Sequence, residues 1–114
     1  TRPGSYDGHV ESSEGWELVY DNDSLWHSKR GSYTELGDFD GVIAVAGGTM
    51  QSFFVTSTRG LVYKSGEKEK SPYASDESLT ILEGIGTAES FSSTMYTPRV
   101  WGGRIRYEVI DVLE

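Results

Sequence analysis

The chain has 114 residues, a formal net charge of −8, a pI near 4.7 and no cysteine. This length fits a single domain that can bury its own core. The acidic balance disfavours nucleic acid and anionic membranes, because both attract clustered Lys and Arg. The lack of thiols excludes cysteine nucleophiles, thiolate zinc sites and disulfides, and no apolar run is long enough for membrane insertion as a helix.

The first half of the chain alternates strand-like runs with turn residues. Residues 1–14 carry few apolar side chains, so we predict a loose N-terminal arm before a domain over residues 15–114. Residues 16–20, Trp-Glu-Leu-Val-Tyr, alternate at period two, which predicts a strand with an aromatic face. The continuous apolar run at residues 42–46, Val-Ile-Ala-Val-Ala, predicts a strand buried on both faces.

The second half repeats the pattern. The Thr-, Phe- and Val-rich residues 51–58 predict a strand, and a tight turn then leads into a strand at residues 61–64. Residues 65–77 are the longest polar stretch, which predicts an exposed loop. A further strand is predicted at residues 79–82, and Pro98 predicts an edge or a bend in the segment before Trp101.

The C-terminal residues 104–114 carry the clearest strand pattern. Ile105, Tyr107 and Val109 fall on one face, so we predict that this segment forms a strand near the centre of a sheet. The whole chain would then hold about eight to ten short strands between turns. We therefore predict an all-β fold, a single antiparallel β-sandwich of jelly-roll type.

Catalytic motifs are weak in this sequence. His9 and His27 are its two histidines, and neither belongs to a Gly-x-Ser-x-Gly elbow. The 18 acidic residues guarantee carboxylate pairs by number alone, so such pairs do not indicate a glycosidase. We predict that the protein is not an enzyme.

Two acidic turns suggest a hard cation. Asp21 and Asp23, like Asp38 and Asp40, place oxygen ligands two residues apart, a spacing that suits calcium. The EF-hand pattern fails, because Leu25 occupies the position of a third ligand. Asp also closes turns through its own backbone, so the turn interpretation stays open. We expect no obligatory cofactor, with calcium at Asp21 and Asp23 as the metal hypothesis.

The chain is rich in aromatic residues, with three Trp and seven Tyr. Aromatic rings form the core of small sandwiches, and they also stack on the apolar faces of sugars. Their alternation with polar residues assigns three of them to the core, namely Trp16, Tyr20 and Tyr107. Three others lie among loop and charged residues and are candidates for an exposed ligand surface, namely Trp26, Tyr73 and Trp101.

These observations favour non-catalytic carbohydrate binding, as in a small lectin or carbohydrate-binding module. Trp26 and Trp101 would stack on a pyranose face. Its hydroxyls would bind Asp38, Asp40 and Arg99. The full set of predicted contacts is Trp26, His27, Asp38, Asp40, Tyr73, Arg99, Trp101 and Arg104.

Two alternatives remain open. In the first, the chain is a structural or assembly subunit, such as a shell, fibre or decoration protein. In the second, it is a protein-binding inhibitor that presents residues 65–77. A homo-oligomer fits the first of these. The sequon at Asn22 and a start at Thr1 without Met favour a secreted or extracellular protein.

Overall fold

The computed structural model describes residues 1–22, 33–58 and 61–110. Within these residues the backbone forms short antiparallel strands and no helix, which confirms the all-β class. The seven strands of the described residues are β1 (Arg2–Pro3), β2 (Gln51–Ser52), β3 (Tyr63–Ser65), β4 (Pro72–Ser75), β5 (Thr80–Leu82), β6 (Gly84–Thr87) and β7 (Met95–Trp101). In the same part of the chain they form three small sheets, with orders β1-β2, β3-β7-β6 and β4-β5.

The chain divides into two compact units. The first unit comprises Thr1–Thr56 and Ser90–Ser93, and the second comprises Ser57–Glu89 and Thr94–Glu114. The division between an arm at residues 1–14 and a domain at residues 15–114 stays a prediction.

One strand pair anchors the beginning of the first unit. β1 pairs with β2, so that Arg2 lies opposite Ser52 and Pro3 opposite Gln51. The Ser52 side chain is buried, and its hydroxyl donates a 2.6 Å hydrogen bond to the Gly4 carbonyl. This bond satisfies a polar group that would otherwise be costly to bury.

An aromatic cluster packs the rest of the first unit. The Trp16 ring meets Phe54 edge-on at a centroid distance of 5.5 Å, and Phe54 lies 4.5 Å from Phe91. The indole N–H of Trp16 donates to the His9 carbonyl at 2.6 Å. The faces and edges of these rings therefore contact one another, which is how aromatic side chains commonly pack.

The central strand of the second unit is β7. One end of it pairs with β3, where Tyr63 lies opposite Trp101 and Ser65 opposite Arg99. The other end pairs with β6. Val100 is 4% exposed and is the buried apolar residue of this strand. Because side chains alternate along a strand, Arg99 and Trp101 lie on the face opposite to Val100.

Pro98 lies inside this central strand, although the sequence predicted an edge or a bend there. The peptide bond between Thr97 and Pro98 is cis. The register of β6 against β7 shifts between Gly84 and Gly86, so that Thr97 and Pro98 together oppose Ile85. A bulge of this kind interrupts the ladder, and the missing N–H of proline is tolerated there.

The β4–β5 hairpin is closed by Asp76. Its carboxylate accepts hydrogen bonds from the backbone N–H groups of Ser78 at 2.9 Å and Leu79 at 2.8 Å. The other oxygen accepts a hydrogen bond from the Tyr107 hydroxyl. The bond from Tyr107 lowers the pKa of Asp76, because it stabilises the carboxylate, and it raises the pKa of Tyr107.

The carboxylate of Glu83 organises the segment that joins β3 to β4. Glu83 is 6% exposed, and it accepts 2.6 Å hydrogen bonds from the Ser71 hydroxyl and the Glu67 backbone N–H. The Ser71 hydroxyl is the main cause of the lowered pKa of Glu83, and the N–H groups of Glu67 and Lys68 add to it. A side chain at Gly66 would collide with this carboxylate, so only glycine fits there without displacing it. We call this arrangement the Glu83 clamp.

Within the described residues, two predicted strands are wrong and a third is shorter than predicted. Residues 16–20 and 42–46 have no strand, and the predicted strand 51–58 is confined to Gln51–Ser52. Val42 is 89% exposed, where the sequence predicted burial on both faces. Strand propensity reflects how a side chain packs against a neighbouring strand, and within the described residues neither 16–20 nor 42–46 is paired with a strand.

The C-terminal prediction is also wrong over residues 104–110, which are not in a strand. Residues 111–114 lie outside the described part of the chain. Alternation alone does not supply a partner for the ladder, and Tyr107 instead reaches Asp76 through its hydroxyl. The predicted loop 65–77 likewise contains β4, and its first half is held by the Glu83 clamp.

We expect Glu83→Gln to be less stable than the unchanged chain at neutral pH. The folded-state pKa of Glu83 is lowered, so its stabilisation is present above the unfolded value of about 4.3. That stabilisation is lost as the pH falls through the lower folded value. Chemical denaturation at neutral and acidic pH should therefore show a smaller acid-induced loss of stability in the variant. Glu89→Gln, at an exposed position, is the control. Equal free energies of unfolding for Glu83→Gln and the unchanged chain at both pH values would contradict this role.

Candidate functional site

A shallow groove lies at the end of the β3–β7 pair in the second unit. Its volume is about 200 Å³, below the roughly 300–1,000 Å³ of pockets for drug-sized ligands, so it has room for a small ring. Its lining residues are Val62, Tyr63, Lys64, Tyr73, Val100, Trp101 and Gly102. We call this feature the aromatic groove.

Strand register brings most of this lining together. Tyr63 and Trp101 form the last residue pair of β3 and β7, and Lys64 lies opposite Val100. Tyr73 comes from β4, the strand that follows the Glu83 clamp. Tyr73 is 46% exposed and Trp101 is 39% exposed, so both rings remain accessible to a ligand.

Two glycines make room for the Trp101 ring and for the close approach of the strands. A Cβ on Gly103 would overlap the Trp101 indole. A Cβ on Gly102 would lie 2.7 Å from the Val62 carbonyl oxygen, which accepts the Gly102 N–H at 3.2 Å. The conformation of the indole therefore depends on the absence of side chains at the next two positions.

Lys64 is the charged residue among the described lining of the aromatic groove. Its Nζ atom lies 4.8 Å from the Tyr73 ring centroid. A hydrogen bond to the Tyr73 side chain raises the pKa of Lys64, and the Glu83 carboxylate adds to this effect. The ammonium is exposed and carries three donors, so it keeps hydrogen-bonding capacity beyond its contact with Tyr73.

Arg99 lies beside the groove on the same strand as Trp101. Its guanidinium carbon is 5.4 Å from the Tyr63 ring centroid and 5.8 Å from that of Tyr96. Nη1 donates to the Pro98 carbonyl at 3.0 Å. Cation–π contacts of this kind fix the plane of the guanidinium while leaving further N–H donors for a ligand.

The structure brings together part of the predicted contact set. Tyr73 and Trp101 line the groove, and Arg99 adjoins it. Arg104 belongs to the same unit and is exposed. Asp38 and Asp40 belong to the first unit, where the Asp40 N–H donates to the Val19 carbonyl at 2.7 Å. Trp26 and His27 lie outside the described residues.

Sequence reasoning missed Tyr63 and Lys64 as site residues. Both were placed in a strand, but the sequence does not say which strand lies opposite. Once Tyr63 is paired with Trp101, strand register makes both residues neighbours of the predicted aromatic pair.

The metal hypothesis is untested. Asp21 is described and Asp23 is not. Over residues 1–22, 33–58 and 61–110, no group of three or more His, Asp or Glu side chains is placed to hold a metal ion. No helix in this part of the chain is long and apolar enough to cross a membrane.

A second cavity, of about 300 Å³, lies in the first unit against Trp16, Phe54 and Phe91. These rings already contact one another, so their faces are partly occupied by packing. The aromatic groove of the second unit instead presents Tyr73 and Trp101 with no ring contact between them. We therefore take the smaller groove as the candidate site.

Comparison with known proteins gives no relative: no protein-family model, no curated protein and no solved structure matches the chain.

We expect Gly103→Ala to displace the Trp101 indole and to destabilise the protein by about 1–3 kcal/mol, the usual cost of an overpacked contact. Denaturant unfolding should show the loss of stability, and the Trp101 indole N–H signal in a nitrogen–proton correlation spectrum should move. Gly84→Ala is the matched control, because nothing lies within 4 Å of a Cβ at that position. An unmoved indole signal in Gly103→Ala would refute the positioning role of Gly103.

Proposed function

We propose that the protein binds carbohydrate without catalysis, as a small lectin or carbohydrate-binding module, and that the aromatic groove is its site. One observation carries the proposal: Tyr73 and Trp101, far apart in sequence, line the same exposed groove. The proposal includes the finer architecture of a jelly-roll β-sandwich and a secreted or extracellular location.

The chemistry of the groove suits a sugar ring. A pyranose presents C–H groups on one face, and aromatic side chains offer a large apolar surface to such a face at low entropic cost. Its hydroxyls need hydrogen-bond donors and acceptors, and the lining residues Lys64 and Tyr73 carry such groups. The small volume favours one sugar ring, or one end of a longer glycan.

A second candidate, an assembly subunit, is favoured by a different observation. Several large apolar side chains are mostly exposed, among them Leu18, Val42 and Ile110. Exposed apolar side chains gain free energy when they are buried against another protein. The partner under this proposal is a second copy of the chain, as expected for a homo-oligomer.

Replacing groove aromatics should remove glycan binding while leaving the fold intact. We expect Tyr73→Ala and Trp101→Ala each to weaken binding by about tenfold or more, since truncating an aromatic anchor of a binding site typically costs about 2 kcal/mol or more. Phe53→Ala is the matched control, because Phe53 is 45% exposed, close to the 46% of Tyr73, belongs to the first unit and does not line the groove. Binding is measured on a glycan array and then by titration calorimetry, in calcium and in EDTA.

Selective binding that is lost in both groove variants and kept in Phe53→Ala would support the proposal. Loss of binding in EDTA would add a metal site, for which Asp21 and Asp23 are the first candidates. A folded Trp101→Ala protein with unchanged binding would place the carbohydrate site elsewhere. Thermal unfolding of each variant separates lost contacts from lost structure.

The assembly candidate predicts a solution mass that rises with protein concentration. We expect Val42→Asp to reduce that rise, because a charge at an 89% exposed apolar position opposes burial against a second copy. Sedimentation velocity across a wide concentration range measures the mass of each protein. A monomer throughout would count against this candidate and leave the carbohydrate proposal unaffected.

A further inference from the structure

The charge of the aromatic groove is opposite to that of the whole chain. The chain carries a net charge of −8, whereas the charged residue among the described lining is Lys64. A second cation, Arg99, stacks on Tyr63, which is itself part of the lining. The site thus concentrates positive charge on a protein that is otherwise acidic.

The nearest acidic group does not cancel this charge by direct pairing. Glu83 attracts Lys64 electrostatically, but its oxygens accept hydrogen bonds from Ser71 and from the Glu67 backbone. Glu83 is also buried, whereas Lys64 is exposed. The Lys64 ammonium is therefore exposed to solvent at the groove, whereas the Glu83 carboxylate is engaged in the hydrogen bonds of the Glu83 clamp.

We propose that the aromatic groove selects a sugar ring that carries a negative charge, with Lys64 as the group that binds the anion. This inference rests on the proposed carbohydrate function and names the class of sugar within it. Tyr73 and Trp101 would contact the apolar face of the ring, and the ammonium of Lys64 would meet an acidic substituent at its edge.

The distance over which charges act reconciles this site with an acidic protein. At physiological ionic strength, charges more than about 8 Å apart in solvent are largely screened, so the overall charge has little effect on a bound ligand. A direct contact between an ammonium and an anionic oxygen is shorter than that and persists. Arg99 offers planar, paired donors to the next acidic residue of an oligosaccharide.

The test compares three probes of similar length: a neutral gluco-oligosaccharide, an oligogalacturonate and a sulfated galacto-oligosaccharide. Titration calorimetry is run on the unchanged chain, Lys64→Gln, Lys64→Arg and Lys68→Gln. Lys68 is an exposed lysine outside the groove, which makes Lys68→Gln the control for a general loss of charge.

We expect Lys64→Gln to lose about tenfold in affinity for an acidic probe and to keep its affinity for the neutral one, the size of one charge-assisted hydrogen bond. Lys64→Arg should restore most of the loss, and Lys68→Gln should show none. The uronate and sulfate arms identify which acidic group is preferred.

Equal affinity for neutral and acidic probes, with no effect of Lys64→Gln, would overturn the inference and leave carbohydrate binding standing. Absence of binding to every probe, together with a blank glycan array, would overturn the proposed function itself. The two failures are therefore distinct.

Discussion

The Glu83 clamp is the constraint on which the candidate site depends. Its carboxylate fixes the segment between β3 and β4, and that segment begins just after Lys64 and ends just before Tyr73. Glu83 itself directly precedes β6, which pairs with the strand that carries Trp101. One buried carboxylate thus sets the spacing of three groove residues. A charged acceptor suits this task, because hydrogen bonds to a carboxylate are stronger than those between neutral groups.

Small residues have an equally direct effect on the groove. A side chain at Gly103 would overlap the Trp101 ring. The indole can therefore occupy its position only because residue 103 has no side chain. Gly66 plays the same part beside Glu83. Glycine is usually explained by a need for positive φ, but none of these positions has one, and close approach is the reason here. The sequence pattern around residues 102–103 does not show this steric role.

The sequence was informative about class and about single residues, and much less about pairing. The all-β class follows from its turns and β-branched runs, and the strand predicted at residues 79–82 corresponds to Thr80–Leu82. The strands predicted around Val42 and Tyr107 fail because alternation describes one chain, whereas a sheet needs a second. The sequence was enough to name Tyr73 and Trp101 as candidates for a ligand surface, because they lie among loop and charged residues. Their convergence in one groove brings β4 to the end of the β3–β7 pair, which is a long-range property that the sequence pattern does not show.

Under the carbohydrate proposal, the aromatic groove should bind a single sugar weakly. It holds about 200 Å³ at the surface, where every polar contact competes with water and only a small area is buried against the entropic cost of association. Firm attachment to a glycan surface then requires several grooves acting together, since linked sites raise the effective concentration of each next contact. Exposed apolar side chains such as Val42 and Ile110 offer surface for self-association, and an oligomer built through them would present the groove in several copies. The assembly candidate and the carbohydrate candidate are therefore compatible, because self-association would add multivalency to a groove that binds one sugar on its own.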